Sequence, residues 1–147
     1  CKIGIESTVI DITNKQPVVL RPGGLNLIKI KKYLKNIRSE HIENNNKPIS
    51  PGQFKKHYSP KSSLRLNAKQ PLKNEAWLGF GPDIKNLDCE FKMNLSEKSD
   101  LNEAATNLFS MLRALDNKKI KTIAIKSIPN RGIGIAINDR LIRGSSK

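Results

Sequence analysis

The 147-residue sequence is poor in cysteine, histidine, aromatic residues and long apolar runs. Its two cysteines, Cys1 and Cys89, lie far apart and form no CxxC pattern, which argues against a disulfide framework or a structural zinc site and predicts a reduced, cytoplasmic setting. The two histidines, His41 and His57, are too few for a protein-held metal site. No apolar run approaches the roughly 18 residues that span a membrane, so no membrane partner is expected.

Acidic residues are also scarce, because 13 Asp and Glu face 27 Lys and Arg and leave a net charge of +14 at pH 7. The positive excess is spread along the chain rather than concentrated in one stripe. Two interpretations are open: a diffuse field that attracts anionic partners such as nucleotides or RNA, or a lysine-rich composition without functional meaning. The apolar residues, 37% of the sequence, recur in periodic segments and suffice for a modest core.

Periodicity predicts a β-hairpin and a helix in the first forty residues. Runs rich in β-branched residues over 3–12 and 18–20 predict two strands joined by a polar turn at 13–16. Pro22-Gly23-Gly24 ends the second strand, and Asn26 is a candidate N-cap for the helix. The apolar face of that helix is formed by Leu27, Ile30, Leu34 and Ile37.

Strands and helices alternate in the second half of the chain, beyond an interruption by prolines and glycine. Strands are predicted over 76–80, 89–95 and 120–128. Asp100 and Glu103 form a capping box for a helix with a regular apolar face, and a terminal helix is predicted over 133–142. This alternation predicts an α/β fold with parallel strands, a small Rossmann-like layer structure.

Polar side chains are predicted to meet at one end of the hairpin. If the turn is centred on Asn14-Lys15, Thr8 lies opposite Arg21, and a three-residue turn places Ser7 there instead. Hydroxyls can hold a small polar substrate, and a guanidinium can bind phosphate or carboxylate. Glu6 on the same strand offers the alternative, in which it only neutralises Arg21.

Three other polar features are open to more than one interpretation. Tyr58, flanked by lysines, can stack on a base or fill a gap between domains. His57 beside it is either an acid catalyst or a solvated linker residue. Asp139-Arg140 is predicted to be an exposed or locally paired couple, whereas the single tryptophan, Trp77, is predicted to lie in the core.

Four motifs occur in a fixed order, and together they carry a resemblance to a known family. They are Glu6-Ser7-Thr8-Val9-Ile10-Asp11, Leu20-Arg21-Pro22-Gly23, Ser50-Pro51-Gly52 with His57-Tyr58-Ser59-Pro60, and Gly134-Ile135-Ala136-Ile137-Asn138-Asp139-Arg140-Leu141. This set resembles the two-domain form of the L-threonylcarbamoyladenylate synthase family, the YrdC-type enzymes with an added C-terminal domain. The resemblance implies the terminal hairpin and helix of a YrdC-type catalytic domain over 1–38, an extended interdomain linker or lid over 39–63, and a small Rossmann-like α/β accessory domain over 64–147.

The resemblance also implies an activity. The parent enzyme is expected to form L-threonylcarbamoyl-adenylate and pyrophosphate from L-threonine, bicarbonate and ATP, for the N6-threonylcarbamoyladenosine modification of tRNA. Ser7 and Thr8 are expected to bind threonine, and Arg21, Tyr58 and His57 to bind ATP, while no catalytic residue is assigned. Mg²⁺ is expected to arrive with ATP.

The chain is expected to be the C-terminal portion of that enzyme. The bulk of the catalytic domain is then expected to precede Cys1, and the chain alone is expected to be inactive. Its expected partners include the machinery that transfers the threonylcarbamoyl group to tRNA, with RNA contact left open. The alternative is a basic RNA-binding or protein-interaction module without catalysis.

Overall fold

The computed structural model describes residues 4–25, 27–38, 60–82, 84–85 and 87–146. Most of the predicted linker over 39–63 therefore lies outside the described residues. Among the described residues, no helix combines the length and apolar character needed to cross a bilayer. The elements in chain order are β1 (Val9–Asp11), β2 (Val18–Arg21), α1 (Leu27–Tyr33), β3 (Ser63–Ala68), β4 (Ala76–Gly79), β5 (Lys92–Asn94), α2 (Leu101–Asp116), β6 (Thr122–Lys126) and α3 (Gly134–Ser145).

The predicted hairpin forms from β1 and β2, but its register differs from both predictions. The antiparallel pairs are Asp11 with Val18, Ile10 with Val19, and Val9 with Arg21. The register shifts between the last two pairs because Leu20 is an extra residue in β2, a β-bulge. Val9 therefore faces Arg21, and the predictions that Thr8 or Ser7 lies directly opposite Arg21 are wrong.

The turn of the hairpin is closed by the Asp11 carboxylate. Its Oδ1 accepts hydrogen bonds from the Thr13 hydroxyl at 2.7 Å and from the Thr13 N–H at 2.8 Å. These two bonds, the hydroxyl first, lower the pKa of Asp11. The carboxylate is therefore held as an acceptor at the point where β1 ends.

Helix α1 packs on the hairpin through its predicted apolar face. The helix ends at Tyr33, earlier than the apolar spacing predicted. Beyond it, Arg38 pairs with the hairpin through its backbone, accepting from the Val19 N–H at 2.8 Å and donating to the Pro17 carbonyl at 2.9 Å. The resulting small cluster contains Val19, Ile30 and Ile37, with Ile10, Leu27 and Leu34 around them.

The remaining strands form one parallel sheet in the order β3-β6-β4-β5. This confirms the predicted α/β fold with parallel strands, although the sequence pattern did not predict β3. One face packs on α2 and α3 through Ala76, Leu78, Ile123 and Ile125. The other face, with Trp77 and Ala124, is covered by Ile84, Leu87 and Cys89. Because both faces are covered, β4 and the centre of β6 are apolar at successive positions.

Helix α2 begins at the predicted N-cap, but the capping box is only partly correct. The Asp100 carboxylate accepts from the Asn102 N–H at 2.7 Å. Glu103 does not reach back to the Asp100 N–H; it accepts a hydrogen bond from the Ser96 hydroxyl, whose oxygen accepts from the Asp100 N–H at 2.9 Å. Ser96 thus relays the contact that the sequence motif predicts as direct.

The segment before β1 packs on the α/β sheet and its helices. Ile5 is 1% exposed and belongs to the core beneath α2 and α3. Gly4 has a φ of +69°, and a Cβ there would lie 2.3 Å from the Thr106 Cα of α2. Only glycine permits this approach. The predicted strand over 3–12 is therefore shortened, because residues 4–8 leave the hairpin to reach the parallel sheet and its helices.

The end of α2 is joined to the start of β3 by Asp116. Its carboxylate accepts hydrogen bonds from the Ser62 hydroxyl at 2.7 Å, the Ser62 N–H at 2.8 Å and the Lys61 N–H at 3.1 Å. Burial, the largest single influence, raises the pKa of Asp116, but these hydrogen bonds outweigh burial and the pKa is lowered. Asp116 therefore stabilises the fold above the usual aspartate pKa, and this contribution is lost as the pH falls through the folded-state pKa.

We predict that Asp116→Asn lowers the free energy of unfolding by about 1 kcal/mol near neutral pH, because a charge-assisted acceptor becomes a neutral one. The difference from the parent protein should shrink as the pH falls below about 4, the usual aspartate pKa, and further as it passes the lower pKa of the folded state, where the carboxylate of the parent becomes protonated. Urea unfolding curves of both proteins across this range would measure it. Asp88→Asn, at an exposed position, is the matched control, and a loss at Asp116 that is independent of pH would contradict the prediction.

Candidate functional site

The candidate site lies where residues 6–8, the end of β2 and the loop at 22–25 meet. The side chain of Arg21 is 11% exposed, and its Nη2 donates a hydrogen bond to the Ser7 carbonyl at 3.2 Å. Ser7 itself is exposed. The structure therefore brings these two predicted residues together, although through a backbone carbonyl rather than as a directly opposed pair.

Thr8 holds the loop that follows β2. Its hydroxyl donates to the Leu25 carbonyl at 3.1 Å and accepts from the Gly23 N–H at 3.1 Å. A Cβ at position 23 would lie 2.3 Å from the Glu6 carbonyl oxygen, so glycine is required for this close approach. The loop and the segment bearing Ser7 are thus fixed against each other before any ligand arrives.

A carboxylate and two guanidinium groups lie directly behind this loop. Oε2 of Glu6 accepts from Arg140 of α3 at 2.9 Å through Nη2 and at 3.0 Å through Nε. The same oxygen lies 3.7 Å from Nη1 of Arg21. Nη2 of Arg140 also donates to the Pro22 carbonyl at 3.3 Å. Arg140 therefore contacts both chain segments that border the site.

Asp139 completes this charge network from the far side. It accepts from Nη1 of Arg140 and from Nε of Arg143 at 2.9 Å. Among the described residues, ion pairs join Arg21, Arg140 and Arg143 to Glu6 and Asp139. The guanidinium of Arg21, a group that can bind an anion, is thereby held beside the exposed Ser7.

The role of Arg140 was missed in the sequence interpretation. Of the two predicted alternatives for Asp139-Arg140, the structure shows the local pair and not the exposed couple, since the Arg140 side chain is only 5% exposed. A signal existed, because Arg140 shares the buried face of α3 with Ala136, Ile137, Leu141 and Gly144. An arginine on an apolar helix face indicates a buried charge that needs a partner. The sequence could not identify Glu6, 134 positions away, as that partner.

The other predicted ATP-binding residues, Tyr58 and His57, lie outside the described residues. Within the described part of the chain, no three His, Cys, Asp or Glu side chains cluster in a way that could hold a metal ion. The described groups around the site are hydroxyls, guanidinium groups, the Glu6 carboxylate and backbone groups. These groups bind and orient a ligand by hydrogen bonds and charge.

Comparison of sequences relates this chain to a family of synthases. The family described as threonylcarbamoyl-AMP synthase, C-terminal domain, matches residues 25–146. The threonylcarbamoyl-AMP synthase of Bacillus subtilis (strain 168) is 31% identical over 159 residues, which cover 97% of this chain and 46% of that protein. The threonylcarbamoyl-AMP synthase of Pyrococcus abyssi (strain GE5 / Orsay) is 30% identical over 164 residues, which cover 98% of this chain and 46% of that protein.

Comparison of structures gives the same relation. The crystal structure of P. abyssi Sua5 complexed with L-threonine matches with a TM-score of 0.83 at 27% identity, over 98% of this chain and 46% of that chain. A P. abyssi Sua5 variant with an adjacent histidine and tyrosine replaced by alanine matches with a TM-score of 0.79 over the same shares.

The chain spans about half the length of the curated relatives it matches. The family match, in contrast, extends over most of the chain, from the loop after β2 to the end of α3. The chain therefore belongs to the threonylcarbamoyl-AMP synthase C-terminal domain family.

Proposed function

We propose that this chain is the C-terminal part of an enzyme that forms L-threonylcarbamoyl-adenylate and pyrophosphate from L-threonine, bicarbonate and ATP. The product would serve the N6-threonylcarbamoyladenosine modification of tRNA. The observation that carries the proposal is the match, over 98% of this chain, to a protein crystallised with L-threonine. The catalytic residues and most of the active-site walls would come from the half of the enzyme that this chain does not cover.

Ser7 and Thr8 are the proposed threonine-binding residues. The exposed position of Ser7 supports a direct hydrogen bond from its hydroxyl to a small polar ligand. Thr8 is engaged with Leu25 and Gly23, which supports an indirect part in which it fixes the backbone beside Ser7. A site held rigid in this way spends less binding energy on ordering itself.

Arg21 is the proposed ATP-binding residue of the hairpin. A guanidinium carries five N–H donors in one plane, so it can serve the Ser7 carbonyl and a phosphate oxygen together. The joint contact would set the phosphate beside the bound threonine. The positive charge of the guanidinium supports an anionic ligand here.

The proposed reaction has two bond-forming steps. The amine of threonine attacks bicarbonate to form a carbamate with loss of water. An oxygen of the carbamate then attacks the α-phosphorus of ATP, and the bond to the departing pyrophosphate breaks. Negative charge on the phosphate oxygens is greatest during this second step, so Arg21 would stabilise its transition state.

The remaining assignments of the proposal concern groups beyond the described residues. We propose that Tyr58 and His57 also bind ATP, since the chain has a single His-Tyr dipeptide and an adjacent histidine and tyrosine were replaced in the P. abyssi variant. Mg²⁺ would enter on the ATP phosphates, as it commonly does. The adenylate would pass to the machinery that modifies tRNA, in the cytoplasm.

We predict that the isolated chain, incubated with threonine, bicarbonate and ATP, releases no pyrophosphate above background, because a site missing most of its surroundings is not held in a productive geometry. The full-length product of the same gene should release pyrophosphate only when threonine and bicarbonate are both present. A coupled pyrophosphate assay measures both. Turnover by the isolated chain would contradict the expected division of the active site.

We predict opposite ligand preferences for two substitutions in the full-length protein. Arg21→Ala should weaken ATP binding more than threonine binding, by about 1.5–3 kcal/mol for a lost charge-assisted bond. Ser7→Ala should weaken threonine binding more than ATP binding. Isothermal titration calorimetry with each ligand separately would test both.

Arg38→Ala is the matched control for Arg21→Ala, because it removes the same charge from an exposed side chain of the same hairpin and helix unit. It should leave both affinities within about twofold, as expected of an exposed charge. If Arg21→Ala and Ser7→Ala weaken both ligands equally, the two residues only support the hairpin, and the assigned contacts are wrong.

A further inference from the structure

Arg140 is a buried arginine whose contacts converge on the edge of the proposed substrate site. Its side chain is 5% exposed, and two of its nitrogen atoms lie 2.9 and 3.0 Å from the same carboxylate oxygen of Glu6. One of these nitrogens also donates to the Pro22 carbonyl at 3.3 Å. Glu6 directly precedes Ser7, and Pro22 directly follows Arg21. Arg140 therefore holds the residue before Ser7 and the residue after Arg21, each next to a proposed ligand-binding residue.

Glu6 is shared between two arginines, but unequally. Its Oε2 is 2.9 Å from Arg140 and 3.7 Å from Arg21. A carboxylate that paired closely with Arg21 would neutralise the charge available to a phosphate. The observed geometry draws the carboxylate toward α3 and leaves the longer, weaker contact with Arg21.

Arg140 is itself held from its other side. Its Nη1 donates to Asp139, which also accepts from Nε of Arg143 at 2.9 Å. The guanidinium is thus fixed between Asp139 and Glu6, and its orientation does not depend on a ligand. A buried arginine that is paired on two sides fixes the position of the carboxylate that it contacts.

We propose that Arg140 is a positioning residue for ATP binding: by holding Glu6 on the α3 side, it keeps that carboxylate from pairing more closely with Arg21 and neutralising more of its charge. The inference rests on the proposed function, in which Arg21 contacts ATP. It gives α3 a defined part in ATP binding, through the carboxylate of Glu6. Replacing Arg140 and replacing Glu6, the two ends of one ion pair, should then change ATP binding in opposite directions.

The test uses the full-length protein and steady-state KM values for ATP and for threonine. Arg140→Gln should raise the KM for ATP by about tenfold, since Glu6 is released to pair with Arg21, and should change the KM for threonine far less. Glu6→Gln should leave the KM for ATP unchanged or lower it, because the neutral amide cannot neutralise Arg21. In an Arg21→Ala background, Arg140→Gln should have no further effect on the KM for ATP.

Arg143→Gln is the matched control, because Arg143 contacts Asp139 of the same network; it should leave the KM for ATP within about twofold. If Arg140 only braces the fold, Glu6→Gln should impair ATP use as Arg140→Gln does. The Glu6→Gln variant alone decides the inference if Arg140→Gln does not fold: an unchanged or lower KM for ATP supports it, and a raised KM overturns it. If Arg21→Ala raises the KM for ATP but Arg140→Gln does not, the inference alone fails. If Arg21→Ala also leaves it unchanged, the ATP role of Arg21 fails with it.

Discussion

A buried guanidinium must be paired, and in this protein the pairing of Arg140 joins two structural units. The first unit is the hairpin with α1, and the second is the parallel sheet with α2 and α3. Removing an arginine from water costs several kcal/mol unless carboxylates and carbonyls replace the lost hydration. Arg140 finds its partners in Asp139 on its own helix and in Glu6 and the Pro22 carbonyl on the hairpin side. Separating the units would leave that charge uncompensated, so the interface is specified by electrostatics as well as by apolar packing.

The apolar clusters of the two units differ in size, which explains why the ionic contact between them matters. The hairpin and α1 enclose a cluster with three buried members, Val19, Ile30 and Ile37. The sheet with α2 and α3 encloses a larger core, and it also takes in Ile5 from the hairpin side. Small units bury too little surface to be stable alone. The first unit therefore depends on its attachment, through Ile5, Gly4 and the Glu6 carboxylate, to the second.

Local patterns in the sequence predicted most elements, and the misses share one cause. The parallel sheet, α2 with its Asp100 cap, α3 and the buried Trp77 follow from periodicity and capping rules. The shortened β1, the bulge at Leu20 and the Ser96 relay at Glu103 depend on which residues pair in the folded chain. Periodicity does not identify that partner, whether it lies close by, as Ser96 does to Glu103, or far along the chain, as Thr106 does from Gly4.

The candidate site shows the same division. Ser7 and Arg21 were predicted to meet because the hairpin brings them together, and they do so through the Ser7 carbonyl. Arg140 was not predicted to join them, because its partner lies 134 positions away. Helical spacing reveals that the arginine is buried, but only the folded chain identifies the carboxylate that it meets.

The bulge at Leu20 decides which face of the hairpin Arg21 occupies. Val19 pairs with Ile10, and Arg21 pairs with Val9. The side chains of Val19 and Arg21 therefore lie on opposite faces of the hairpin, although the two residues are two positions apart. Val19 can thus join the cluster under α1 while Arg21 turns toward Glu6. With regular pairing and no bulge, Arg21 would share the face of Val19 and its guanidinium would point into that apolar cluster. The arginine reaches its site through a local irregularity of the backbone, so a shift of pairing that removed the bulge would turn it away without any change of sequence.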